Sequence, residues 1–404
     1  MECGRAGRQQ WFVPDLVLLS GAFFFLFLGP GAVQQHLGTI LGDKRFFTLA
    51  AVYVSFCVWR IFIGITIRVL GDFLSELLGA ATYVGFVAVL WVSTSWPAVL
   101  LAAALWGWGA ASLWITSQSQ VLDATRGHGS ASGFFYSILT AGQALGVGLL
   151  ALIAARWPTP AGAAPGRLLL ATCVVLGLPG LVLVCLTPRR KVERERFTLS
   201  GFWRIARQRA IVLVGVILLC SSLSFGILLG AFSELSRATT GAQWPAIAFY
   251  VARVALCFPA GLLADRIGKE RGLKFSFLLA AAGIVVAALW RTSPGLSLAV
   301  CAGAMAMQQT LAQSSAMALM GDVAEPKSRH LALGAVFFWR DLGVVIPLFV
   351  AGLLKGLLPD PGDAQAVETV FRAALLGFAA VFVGSAFLCD ALRRALTRTQ
   401  GARN

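Results

Sequence analysis

The chain has 404 residues, 58% hydrophobic and 13% charged, where an ordinary soluble domain carries about 25% charged residues. Its net charge of +15 would suggest a nucleic-acid partner in a soluble protein, but with this much apolar sequence it fits basic loops facing anionic lipid, so no nucleic acid is expected. None of the eight cysteines forms a C-x-x-C pair, and His36, His128 and His330 lie far apart without metal-ligand spacing, so neither a metal nor a cofactor is expected.

A membrane-spanning helix needs about 20 mostly apolar residues. Apolar blocks separated by Pro, Gly and charge predict twelve such segments, numbered 1 to 12 in chain order: 12–37, 46–68, 74–93, 97–121, 131–155, 167–187, 210–235, 244–264, 273–290, 296–320, 331–354 and 370–390. Segment 1 exceeds the apolar core of a signal peptide, about 7–15 residues, lacks an evident cleavage site, and is expected to be retained. Breaks such as Ser95-Trp96-Pro97, Thr292-Ser293-Pro294-Gly295 and Pro359-Asp360-Pro361-Gly362 mark the loops. The stretch 188–209 is the longest and most basic loop. It divides the chain into 1–187, a six-helix bundle, a linker at 188–209, and 210–404, a second six-helix bundle with a short tail.

Of 33 Lys and Arg residues, Arg60, Arg253 and Arg340 fall inside segments, and Lys44, Arg45, Arg156, Arg167, Arg237, Arg291, Lys355 and Arg372 fall on one side. The other 22 fall on the side that holds both termini. The excess of basic residues in cytoplasmic loops of membrane proteins places both termini in the cytoplasm of a multi-pass protein of the plasma or inner membrane.

The two halves echo each other. Gly31-Ala32-Val33-Gln34-Gln35 in segment 1 resembles Gly230-Ala231-Phe232-Ser233-Glu234 in segment 7, and Phe134-Phe135-Tyr136-Ser137 resembles Phe337-Phe338-Trp339-Arg340. After segment 8 the chain reads Gly261-Leu262-Leu263-Ala264-Asp265-Arg266-Ile267-Gly268-Lys269-Glu270-Arg271. These residues resemble the loop signature of the major facilitator superfamily, which implies two pseudo-symmetric six-helix bundles, an all-α membrane fold and alternating-access transport. The resemblance gives Gly261, Asp265, Arg266, Gly268, Lys269 and Arg271 the part of a gate latch. After segment 2, Gly64, Arg68, Gly71 and Asp72 keep the glycine spacing but exchange the charges, so a swapped latch and a decayed one both remain open. Gly142 to Gly148 partly resembles the antiporter signature of the same superfamily, with Val147 in place of its proline, and reads as small-residue packing. A narrower resemblance, over about forty residues from Leu105-Trp106-Gly107-Trp108-Gly109 through Gly133-Phe134-Phe135, is to the branch that contains the Unc-type ion-channel regulatory proteins. It implies relatives that regulate or escort other membrane proteins.

Ionisable groups near the bilayer centre cost at least about 2.5–3.5 kcal/mol each and are functional candidates by default. Arg60, Arg253, Arg340 and Asp341 qualify, each about ten residues, or about 15 Å, from one helix end. Arg340 and Asp341 are neighbours pointing about 100° apart, so each is expected to find its partner elsewhere. Arg60 is expected to face Asp341 where segments 2 and 11 meet. The surplus of arginine leaves room for an anion, and a static ion pair is the alternative. Gln118 and Gln309 could hydrogen-bond a ligand or a neighbouring helix. Glu234 could carry a proton, or be solvated beside Arg237. No P-loop is present, and Gly127-His128-Gly129 lacks the strand of a dinucleotide site, so no enzyme is expected. The leading expectation is a secondary transporter in the lipid bilayer moving a small solute, anionic by the arginine surplus, with protons as a candidate coupling ion. The second is a non-transporting relative that regulates or escorts another membrane protein. A channel is third, without a filter-like sequence to support it.

Overall fold

The computed structural model describes residues 14–93, 95–125, 129–156, 166–188, 197–240, 244–358 and 363–401. All regular structure among them is helical, as hydrocarbon demands of an open chain that must satisfy its own backbone. Among the described residues, ten helical stretches are long and apolar enough to cross a membrane. One of them, Lys44–Val92, contains two crossings folded at Gly71, and the shorter apolar helix Ile247–Leu263 completes twelve.

Segment 1 is not one helix as the sequence suggested. It runs Pro14–Leu28, breaks, turns through a 3₁₀ helix at Ala32–His36 and resumes at Leu37–Leu41. Pro30 lies in the break, where its missing N–H and its ring oppose a continuous ladder. Segments 2 and 3 share Lys44–Val92. Segment 4 is Trp96–Thr125, segment 5 Gly129–Arg156 and segment 6 Arg167–Leu186. The basic linker, read from sequence as a loop, holds a short helix at Leu199–Ala206, whose first turn is capped by Thr198 accepting from the Gly201 amide at 3.0 Å. It buries Phe202 and Ile205.

Segment 7 runs from Arg209 to Thr240 with a π-helical turn at Leu228–Phe232. Segments 8 to 11 are Trp244–Ile267, Lys269–Leu289, Pro294–Val323 and Arg329–Gly356. Segment 12 is longer than expected, Ala364–Gly401. The bundle exterior is apolar, with Leu101, Val175, Leu289 and Phe387 exposed, a surface suited to lipid. Segment 2 packs on segment 11, and segment 5 on segment 8, along the seam between the bundles. At Gly334 a side chain would sit 2.7 Å from the Arg60 carbonyl oxygen, so the missing Cβ lets segments 2 and 11 meet at backbone distance.

The echo between the halves is visible in the backbone. Gly71 has φ 75° and Gly268 has φ 91°, and each stands seven residues after a helix glycine, Gly64 and Gly261. Gly71, with ψ 169°, occupies a region that is essentially glycine-only and costs another residue about 1–3 kcal/mol. Gly71→Ala should therefore lower the thermal midpoint of the purified protein by a matching amount. Gly85→Ala, where an added Cβ meets nothing, should be neutral or stabilising.

Candidate functional site

Between the bundles lies a cavity of about 90 Å³ (the space open to the centre of a water molecule). One water needs about 10–15 Å³ on that scale, so several waters or a small solute fit. Helical periodicity builds the walls. Trp106, Ala110 and Trp114 stand four residues apart and bring one face of segment 4 to the cavity, while Tyr53 and Phe56 do so for segment 2. Gln34, Gln143, Ser221, Ser222, Gln309 and Gln313 supply polar edges. Tyr53 donates to Gln34 Oε1 at 3.0 Å, and Trp114 Nε1 donates to the Tyr83 hydroxyl at 3.0 Å, so the aromatic wall is pinned by hydrogen bonds.

Charge enters through Arg253, Arg340 and Asp341, all on the lining. Arg60, fully buried, donates from Nε to Asp341 Oδ2 at 3.0 Å and from Nη1 to the Ala111 carbonyl at 3.3 Å. Arg340 donates from Nε to the other carboxylate oxygen at 2.8 Å, with its Nη2 2.7 Å from that same oxygen. The expectation that Arg340 and Asp341 would not pair is therefore corrected. Their Cβ directions diverge, but the arginine is long enough to curl back to its neighbour. The Arg60 guanidinium lies 4.1 Å from the Phe56 ring centre, and that of Arg340 lies 4.2 Å from Phe337 and 5.2 Å from Trp114. Ring faces thus share in holding both cations. Arg253 reaches Gln313 Oε1 at 3.2 Å, a neutral partner. Among the described residues in and behind the cavity wall, Arg60 and Arg340 share one carboxylate, and Arg253 meets an amide.

Ion pairs tie the seam on both sides of the cavity. On the face away from the termini, Glu234 pairs with Arg45, with Lys355 at 3.2 Å and with Arg237 at 3.5 Å, while Lys355 also reaches Asp43 at 2.8 Å. Glu234 is buried rather than solvated, and it is not among the residues that line the cavity. On the terminal face Arg329 of segment 11 pairs with Asp123 of segment 4.

The remaining candidates divide. Gln309 lines the cavity, and Gln118 is fully buried in segment 4 away from that lining. Gly64 packs on Phe197 of the linker. Arg68 and Arg271 are exposed and Asp72 is half-buried. The Asp265 and Lys269 side chains lie outside the described residues. Sequence reasoning missed the aromatic wall, Gln34 and Gln143. It also missed Glu76, a carboxyl 1% exposed at the start of segment 3.

Similarity to known proteins agrees with this architecture. The family model of the Major Facilitator Superfamily matches residues 214–403. The human organic anion transporter MFSD10 superposes with a TM-score of 0.68 at 15% identity, covering 95% of this chain and 100% of that one. A variant of the Escherichia coli fucose:proton symporter superposes with a TM-score of 0.65 at 16% identity over 92% of this chain and 99% of that one. The chain has the major facilitator fold. Both halves of the chain are covered by the superpositions, so the fold implied by the resemblance read at Gly261–Arg271 holds for the chain as a whole. The Arabidopsis thaliana UNC93-like protein 3 is 28% identical over 129 residues, which is 32% of this chain and 27% of that relative's length. It agrees with the narrower resemblance to the branch that contains the Unc-type proteins.

Proposed function

We propose that this chain is a secondary transporter that moves a small anionic solute across a membrane by rocking its two bundles about the central cavity. The observation that carries the reading is the charge count among the described residues in and behind the cavity wall, where three guanidiniums stand with one carboxylate: Asp341 binds Arg60 and Arg340, and Arg253 meets the neutral Gln313. Buried charge without a partner is costly, and a bound anion between Arg253 and Arg340 would supply the missing partner. The ion pairs on either side of the cavity fit a gate at each end. The named activities of the two solved neighbours, organic anion transport and fucose:proton symport, support a solute-binding cavity and proton coupling. The basic side then faces the cytoplasm with both termini, in a plasma or inner membrane, and 188–209 joins bundles at 1–187 and 210–404.

The test is purified protein in liposomes with a pH-sensitive dye and a panel of organic anions, cations and neutral metabolites. Flux with anions, and proton movement that follows it, is the expected result. The similarity to UNC93-like protein 3 favours the second reading, a non-transporting regulator or escort. Silence across the panel together with a stable co-purifying membrane protein would select it.

A further inference from the structure

Glu76 begins the rise of segment 3, five residues after the Gly71 turn, and it is 1% exposed. Ser117 of segment 4 donates to its Oε1 at 3.2 Å, and Gln120 and the Thr116 hydroxyl of the same segment lie beside it. All three are neutral. The charged groups on the elements packed around it are Asp72 one turn earlier, Asp15 at the start of segment 1, and Asp123 with its partner Arg329. Among the described residues no cation pairs with Glu76. An ionised carboxylate in such surroundings is costly.

A second observation points the same way. Gln120 is buried, and its Oε1 accepts no hydrogen bond. A carboxylic acid and a primary amide make a two-bond ring. The amide N–H donates to the acid's carbonyl oxygen, and the acid's O–H donates to the amide oxygen. A carboxylate can form only the first of these bonds. A protonated Glu76 satisfies both groups at once.

We propose that Glu76 is a proton-binding site, neutral and ringed with Gln120 in this conformation. The proton comes from hydronium in the adjoining water and returns to water when the site is wetted, with no electrons exchanged. Asp123, which holds the seam through Arg329, lies one turn beyond Gln120 on segment 4. Parting of the bundles there would admit water at the same level as Glu76. The coupling role rests on the transport reading, but proton binding itself does not.

Infrared spectroscopy of the reconstituted protein in water and in deuterium oxide tests the site. The wild type should show a protonated-carboxyl C=O band that shifts on deuteration, disappears in Glu76→Gln and changes frequency in Gln120→Ala. Asp390→Asn, at a surface pair with Lys274, should leave the band unchanged. Glu76→Gln mimics the neutral acid and should fold with unchanged thermal stability. In liposomes it should retain solute exchange and lose accumulation driven by a pH gradient. A band that survives Glu76→Gln, or a wild type with no such band from acid to neutral pH, would overturn the proposal. A band lost in Glu76→Gln from a wild type that moves no solute would support the proton site and count against the transport reading alone.

Discussion

Asp341→Asn should destabilise the protein far more than Arg60→Gln. Removing one partner of a buried ion pair costs about 3–5 kcal/mol, because it strands the other charge. Here Asp341 serves two arginines, one on each oxygen. Its loss leaves Arg60, fully buried, and Arg340 facing each other with no carboxylate. Arg60→Gln instead leaves the Arg340–Asp341 pair balanced and removes mainly hydrogen bonds to a charged group, worth about 1.5–3 kcal/mol. The double variant retains Arg340 without a carboxylate and should fall between the two singles. A double-mutant cycle on thermal unfolding in nanodiscs measures this, and strictly additive effects would show that the residues do not interact. The contact joins segments 2 and 11, so rocking of the bundles has to strain or remake it. Arg60→Gln should accordingly change transport rate more than fold stability.

The second large effect is on ligand binding. Arg253 meets the neutral side chain of Gln313 on the cavity wall, not a carboxylate. Its guanidinium can therefore take most of an anion's charge. Arg253→Gln should weaken binding by about 1.5–3 kcal/mol, the worth of a hydrogen bond to a charged group, or about tenfold to a hundredfold in dissociation constant. Arg253→Lys should lose part of that, keeping the charge without the planar fork. Tryptophan fluorescence reports it directly, because Trp106 and Trp114 line the same cavity.

Some of this was legible in sequence because the cost of charge in hydrocarbon singles out residues. Arg60, Arg253, Arg340 and Asp341 stood out in apolar helices for that reason, and the facing of Arg60 and Asp341 followed from their shared depth together with the meeting of segments 2 and 11 that the major facilitator resemblance implies. The Arg340–Asp341 contact was misread because angular spacing describes where Cβ points and ignores the reach of a long side chain. The cavity wall carried a signal in the four-residue spacing of Trp106, Ala110 and Trp114. Yet periodicity alone cannot say whether such a stripe faces lipid, protein or a cavity. Glu76 drew no notice in the sequence, because its surroundings are set by Ser117 and Gln120 of a different segment. Beside its helix neighbour Arg237, Glu234 gathers Arg45 and Lys355 from distant parts of the chain, a convergence that local pattern does not encode. The linker helix was read as loop because the basic run hid its local signals, the Thr198 cap and the apolar pair Phe202 and Ile205.

The measurement that bears most directly on the central claim, an anion held at the cavity arginines, compares a matched pair of ligands. Purified wild-type protein would be titrated with a panel of aromatic and aliphatic carboxylates and with their uncharged amides, following tryptophan fluorescence and the thermal midpoint. The expected result is saturable binding by at least one carboxylate, no effect of its amide, and loss of the response in Arg253→Gln. Equal responses to carboxylate and amide, or a carboxylate response undiminished in Arg253→Gln, would contradict it.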